Sequence, residues 1–353
     1  MSSIATANSD RTAELVRAIA RRQLVAEKSL LLFADRDDLL TRLFQTCRHK
    51  SIHVLSAGHA SPDIAIAADR AELRVEEIIG ASPFAGNIDE LMPHLRHDSL
   101  VYLANPNRIT GANYSLADIE LLSKALPYGT VIVDEYYYDF FGISAMPLIE
   151  RTDNVYVLRS FAASFGIGSA DAGYVIGTPA AIETLADSLL PQSISTTIYR
   201  LIATVLENGD NLAKRLRMLH DESLRLATGL THLGVQNRIA ATDFLLLRVA
   251  DTKSAGNFLA RSRVPFENLD GYPKLNNYLR YRIQSELSNN LLIDAFSKMP
   301  VEYFRMDSVD RRKVMIRRRV EDQPFTDPVA AEPPVIHRKR VAVAVRESET
   351  VTK

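Results

Sequence analysis

Several short segments of this 353-residue chain carry residues able to do polar chemistry. Val133-Asp-Glu-Tyr-Tyr137 ends an apolar run in two carboxylates and two phenols, and Asn105-Pro-Asn-Arg-Ile-Thr-Gly111 is rich in turn formers around one arginine. Arg159-Ser-Phe-Ala-Ala-Ser-Phe-Gly166, Gly173-Tyr174 and Leu279-Arg-Tyr-Arg-Ile283 follow in that order. A carboxylate at a strand end can face a cation or cap a turn, and the planar fork of an arginine such as Arg280 suits a carboxylate. On the residues alone both bland alternatives stay open. Asp134 and Glu135 also read as a turn cap with tyrosines packed behind it, and Arg280 as a strand arginine in a surface ion pair near Arg282 and Glu286.

Other catalytic arrangements have little support. No Gly-x-Ser-x-Gly elbow and no Walker-type loop occurs. Among the eight histidines, His94 and His97 are spaced by three and read as part of a surface helix rather than a metal site. Cys47 is the single cysteine, which rules out an intrachain disulfide and a thiolate metal cage. A net charge of −1 argues against global attraction to nucleic acid or an anionic membrane. No run approaches the roughly 18 apolar residues of a membrane span, and the start lacks the basic-then-apolar order of a secretory signal. A cytoplasmic protein is the expectation.

The elements that must position these residues alternate. His53-Val-Leu-Ser, Leu73-Arg-Val-Glu, Leu100-Val-Tyr-Leu, Thr130-Val-Ile-Val, Val155-Tyr-Val-Leu and Ala172-Gly-Tyr-Val-Ile read as strands. Amphipathic stretches lie between them, among them residues 11–28 with Asp10 as N-cap, and Ser115–Leu126 opened by a Ser115/Asp118 capping box. This alternation predicts an α/β fold, a sheet covered by helices on both faces. Around Pro191 the pattern changes to near-continuous helix over 194–234, interrupted at Asn208-Gly-Asp210. A strand at Phe244–Val249, a helix near 253–262, a strand at Tyr278–Ile283 and a helix near 288–298 then predict a smaller C-terminal α+β domain.

The expected organisation is an N-terminal helical segment over 1–28, a large α/β domain over 29–192 and a helical connector over 193–235. A small C-terminal domain follows over 236–304, and a disordered tail over 305–353. The tail holds Pro324, Pro328, Pro333 and Pro334 between the basic clusters Arg311-Arg-Lys313, Arg317-Arg-Arg319 and Arg338-Lys-Arg340, and reads as solvated.

In order and spacing the segments resemble the class I/II aminotransferases that use pyridoxal phosphate (fold-type I), most closely histidinol-phosphate aminotransferase, over roughly residues 12–300. The resemblance implies a large domain with a mostly parallel seven-stranded sheet, a smaller C-terminal domain and a homodimer. It places Asp134 beside the protonated ring nitrogen of the cofactor, Tyr137 at the ring hydroxyl and Arg280 at the substrate carboxylate. It also marks departures. Ala163 stands at the Schiff-base lysine, Ala162 at a phosphate-binding serine and Arg108 at a ring-contacting asparagine. Asp171 stands at a phosphate arginine, Glu267 at a substrate-phosphate arginine, and Ala34-Asp-Arg-Asp-Asp38 at a Gly-Ser-Asp turn; His59 is the stand-in for a stacking aromatic residue.

These departures lead to the expectation of no bound cofactor and of a non-transaminating homologue, a pseudoenzyme acting as a binding, regulatory or partner subunit. Asp134, Tyr137 and Arg108 would be remnants of the cofactor site. Two alternatives stand beside it. One is an enzyme using Arg108, Asp134, Tyr137 and Arg280 on a carboxylate-bearing, amino-acid-like small molecule. The other is a pyridoxal-phosphate transaminase with a relocated lysine, for which Lys274 is the candidate. A heterodimer with an active relative is a further arrangement the sequence leaves open.

Overall fold

The apolar runs assemble into one seven-stranded sheet. Its strands are β1 (Leu30–Phe33), β2 (His53–Ala57), β3 (Arg74–Ile78), β4 (Leu100–Ala104), β5 (Thr130–Asp134), β6 (Val155–Ser160) and β7 (Gly173–Ile176), in the order β1-β7-β6-β5-β4-β2-β3. Strands β2 to β6 are parallel, β7 is antiparallel to β6, and β1 is antiparallel to β7. The computed structural model describes residues 2–47, 53–165, 172–188, 195–207 and 209–306. Asp171, Gly166-Ile-Gly168, the change of pattern at Pro191 and the basic clusters of the tail lie outside those residues.

Helices cover both faces, which is why β4, β5 and β6 are apolar without alternation. On one face Leu100, Tyr102, Ala104, Ile132 and Leu158 pack with Leu39, Leu43 and Phe44 of the helix Arg36–Cys47 and with Ile64 of the helix Pro62–Arg70. On the other, Val101, Leu103, Val131, Val133 and Val157 pack with Ile119 and Leu122 of the helix Leu116–Ala125. That helix opens on the expected capping box. The Ser115 hydroxyl accepts from the Asp118 amide at 3.1 Å, and the Asp118 carboxylate accepts from the Ser115 amide at 3.0 Å.

The N-terminal helix begins earlier than its sequence pattern indicates. It runs Ser2–Gln23, so Asp10 lies inside it and is not its N-cap. Residues 2–9 contain neither glycine nor proline, and nothing stops the helix from extending back through them.

A second, four-stranded antiparallel sheet is made by β8 (Gln236–Ile239), β9 (Phe244–Arg248), β10 (Glu267–Asn268) and β11 (Tyr278–Arg282), ordered β10-β11-β9-β8. The helices Gly209–His232, Thr252–Arg261 and Glu286–Lys298 close its core around Leu245, Leu247, Tyr281 and Phe296. Met1–Arg305 form one compact unit that contains both sheets. Among the described residues no helix is long and apolar enough to cross a membrane.

Candidate functional site

Asp134 is the last residue of β5, at the carboxyl edge of the parallel strands, where open α/β sheets place their ligand crevice. Its side chain continues the face of Ile132, and on the neighbouring strand β4 the register sets Tyr102 beside Ile132. Both carboxylate oxygens of Asp134 are engaged. Arg36 donates from Nη2 to Oδ2 at 2.6 Å and from Nη1 to Oδ1 at 3.3 Å, and the Tyr102 hydroxyl donates to Oδ2 at 2.5 Å. Arg36 and Asp134 are both completely buried.

Arg36 arrives from the first turn of the helix Arg36–Cys47. The acidic segment around it is not a bare cluster of carboxylates: Asp35 Oδ1 accepts from the Asp38 amide at 3.1 Å, in the manner of an N-cap, and Asp38 faces Arg42 at 3.5 Å. The Nε of Arg36 also donates to Asp63 Oδ2 at 3.0 Å, and the same oxygen accepts from Arg108 Nη1 at 2.6 Å. Two guanidiniums and two carboxylates thus balance in one network.

The electrostatics follow from that pairing. Burial works against the charge on Arg36, but Asp134 foremost, with Tyr102 and Asp63, outweighs it and holds the guanidinium protonated well above its ordinary range. Burial pushes the Asp63 carboxyl upward, whereas Arg108 and Arg36 override it and keep the group well below the usual carboxylate range. Burial and then Asp134 raise the Tyr102 phenol well above its ordinary value, so it stays a donor.

The loop Asn105–Gly111 keeps its turn chemistry. Asn107 Oδ1 accepts from the Ile109 and Thr110 amides, each at 3.0 Å, and Asn107 Nδ2 donates to the His59 carbonyl at 2.8 Å. This local frame carries Arg108 to Asp63 and over the ring of Tyr136, with its guanidinium carbon 4.3 Å from the ring centroid. His59 itself is buried against the edge of Tyr272, with ring centroids 5.6 Å apart. Neither of its ring nitrogens has a hydrogen-bond partner among the described residues; Nδ1 is 3.8 Å from Glu77.

Of the remaining sequence-selected residues, Tyr137 and Ala163 share one apolar cluster with Ile109, and Arg280 meets the backbone of Arg108. Tyr137 donates to Asp243 Oδ1 at 2.8 Å, with burial and then Asp243 raising its phenol well above its ordinary value. Ala163, in the short helix Ala162–Phe165, is buried in an apolar cluster with Ile109, Tyr137, Phe244 and Leu269. Arg280 is committed to Glu267, with Nε donating at 2.8 Å, and its Nη1 donates to the Arg108 carbonyl at 2.5 Å. Lys274 Nζ donates to the carbonyls of Ile79 at 3.2 Å and Gly80 at 2.5 Å. Glu135, neighbour of Asp134, faces the opposite way into Arg159 at 2.9 Å and the Ala145 amide at 2.6 Å. Burial raises the Glu135 carboxyl although Arg159 opposes it.

Arg36, Asp63 and Tyr102 were not selected by sequence reasoning, although they complete the surroundings of Asp134. Tyr102 carried a signal, a phenol inside a fully apolar strand that pairs with the strand of Asp134. Arg36 carried only its position among the acidic residues 35–38. Among the described residues no group of three or more His, Cys, Asp or Glu could hold a metal ion.

Comparison with known proteins adds the family context. The family described as aminotransferase class I and II matches residues 4–264. Histidinol-phosphate aminotransferase 2 of Legionella pneumophila is 24% identical over 274 residues, which cover 75% of this chain and 74% of that protein. The solved histidinol-phosphate aminotransferase of Clostridium acetobutylicum superposes with a TM-score of 0.73 at 14% identity, covering 81% of this chain and 88% of the other. That of Sinorhizobium meliloti, solved in complex with pyridoxal-5'-phosphate, gives a TM-score of 0.70 at 19% identity, covering 82% and 81%. At these identities the structures establish the fold. The expectation of no cofactor is corrected by the same findings, because the chain matches a family whose relatives use pyridoxal phosphate and one solved neighbour holds it. The arrangement around Asp134 does not fit that group as it stands: the carboxylate assigned to the ring nitrogen is already paired with Arg36.

Proposed function

The chain belongs to the class I and II aminotransferases, and on that premise we propose that it is a member in which lysine-linked transamination has given way to a binding or regulatory role. Pyridoxal phosphate is the cofactor to expect, by analogy with the Sinorhizobium meliloti relative. Any of it taken up at this position would be held without a covalent bond to the protein. The reading rests on Ala163. Where the resemblance calls for a primary amine, the structure has one methyl group packed among Ile109, Tyr137 and Phe244. A methyl group can neither form an imine nor carry a proton.

Lys274 gives no support to a relocated lysine, since its ammonium is held by two backbone carbonyls. Nor is Arg280 free to receive a substrate carboxylate, because Glu267 already faces its fork. We further propose a cytoplasmic homodimer, with an active relative as the alternative partner.

The deciding experiment adds pyridoxal phosphate to the purified protein, reduces with borohydride and measures intact mass, alongside an amino-transfer assay with amino-acid donors. The expected result is no mass addition and no transfer. A reduced adduct mapped to any lysine, together with amino transfer, would overturn the reading.

A further inference from the structure

His59 and Lys274 both stand outside the network at Asp134, yet the fold brings their surroundings together. His59 is 2% exposed, and neither ring nitrogen is bonded by a described residue. A buried imidazole in that condition needs a reason. It lines a chamber with Ile79, Gly80, Asn107 and Tyr114. At about 10 Å³ the chamber has room for no more than one water molecule. Anything larger reaches the imidazole only if a wall moves.

The loop between β10 and β11 supplies a movable part. Leu269 and Leu275 are completely buried and fix its two ends. Between them, Gly271–Lys274 makes two contacts around His59. Tyr272 meets the imidazole edge-on, with ring centroids 5.6 Å apart and planes at 78°. Lys274 Nζ donates to the carbonyls of Ile79 and Gly80, both residues of the chamber wall. The lysine is exposed, so water competes for those bonds, and its φ of +63° is unfavourable for a residue with a side chain. An added Cβ on Gly271 would meet nothing within 4 Å, so packing does not hold the tip there.

We propose that Gly271–Lys274 is a lid over His59, latched by the Lys274 ammonium, whose opening gives water and small uncharged molecules access to the imidazole. The Glu77 carboxylate, 3.8 Å from Nδ1, disfavours anions at the opened site. The lid acts on access alone and takes no part in the network at Asp134.

The test follows modification of His59 by diethylpyrocarbonate, a small uncharged electrophile, in the full chain, with peptide mass mapping. The half-exposed His94 serves as the internal reference. In the native chain His59 should react slowly but measurably, because the lid opens. In Lys274→Met its rate should rise about tenfold, the scale of one lost hydrogen bond to a charged donor, with His94 unchanged. Lys274→Arg keeps a cationic donor and should react nearly as slowly as the native chain. Gly271→Ala, which touches nothing, should match the native rate. An unchanged His59 rate in Lys274→Met would overturn the proposal, as would complete inertness of native His59. Faster amide exchange in β4 and β5 of Lys274→Met would also overturn it, since the lysine would then support the fold and not a lid.

Discussion

Arg36 Nη2 lies 2.6 Å from Asp134 Oδ2, 98 residues apart in the chain, with neither side chain reaching solvent. Arg36→Met should therefore strand a buried carboxylate and cost about 3–5 kcal/mol of stability. The double variant Arg36→Met/Asp134→Asn should lose less than the two single changes added together. Urea unfolding of all four proteins gives the coupling directly, and additive losses would show that the pair contributes nothing as a pair.

The phenol of Tyr102 donates to the same oxygen at 2.5 Å. Tyr102→Phe removes that hydrogen bond with little change of shape and should cost about 1.5–3 kcal/mol, the range for bonds to a charged acceptor. A change below about 0.5 kcal/mol in the same unfolding assay would mean that Arg36 alone satisfies Asp134.

The Asp63 carboxyl is held well below its ordinary value by Arg108 and Arg36 against the opposing effect of burial. The folded state therefore binds its proton less readily than the unfolded chain. The stabilisation is complete above the unfolded value near pH 4 and is lost as pH falls from there toward the depressed folded value. Unfolding midpoints measured from about pH 6 down to about pH 2 should fall less steeply in Asp63→Asn than in the native protein. Parallel curves would remove Asp63 from the acid response.

Gly173 begins β7 opposite Ser160, and a Cβ there would sit 2.1 Å from the Arg159 carbonyl and 2.5 Å from the ring of Phe33. Since one obstacle is sheet backbone, Gly173→Ala should cost at least about 3 kcal/mol, at the upper end of overpacking effects. Gly111 meets a different limit. Its φ is +70°, and an added Cβ would come 2.2 Å from Ala240 Cβ at the end of β8. Gly111→Ala should therefore loosen the contact between the Asn105–Gly111 loop and the second sheet, seen as faster amide exchange in both segments without loss of the seven-stranded core.

The sheet was legible because burial on both faces leaves an unmistakable mark: Val101 and Leu103 serve one layer while Leu100 and Tyr102 serve the other. The capping box at Ser115 was legible because all its partners lie within four residues. β1 was missed, as a four-residue run against the end of a helical pattern, and it finds its place only through antiparallel pairing with β7. Within the site, Asp134 stood out as a carboxylate closing an apolar strand. Its partners did not, because nothing local to residue 36 says that a helix will deliver that guanidinium to β5. The engagement of Arg280 by Glu267 was equally hidden, since it depends on the register of β10 against β11, where the two residues stand directly opposite.

Strand β3 closes one side of the seven-stranded sheet with Arg74, Glu76 and Glu77 along it, in register with His53, Leu55 and Ser56 of β2. A charged border of this kind discourages a foreign strand from adding to the exposed ladder. Growth of the sheet from molecule to molecule, the first step toward fibrous aggregates, is thereby obstructed at this rim. Replacing those charges with valine or threonine would turn the rim into a template for cross-β association.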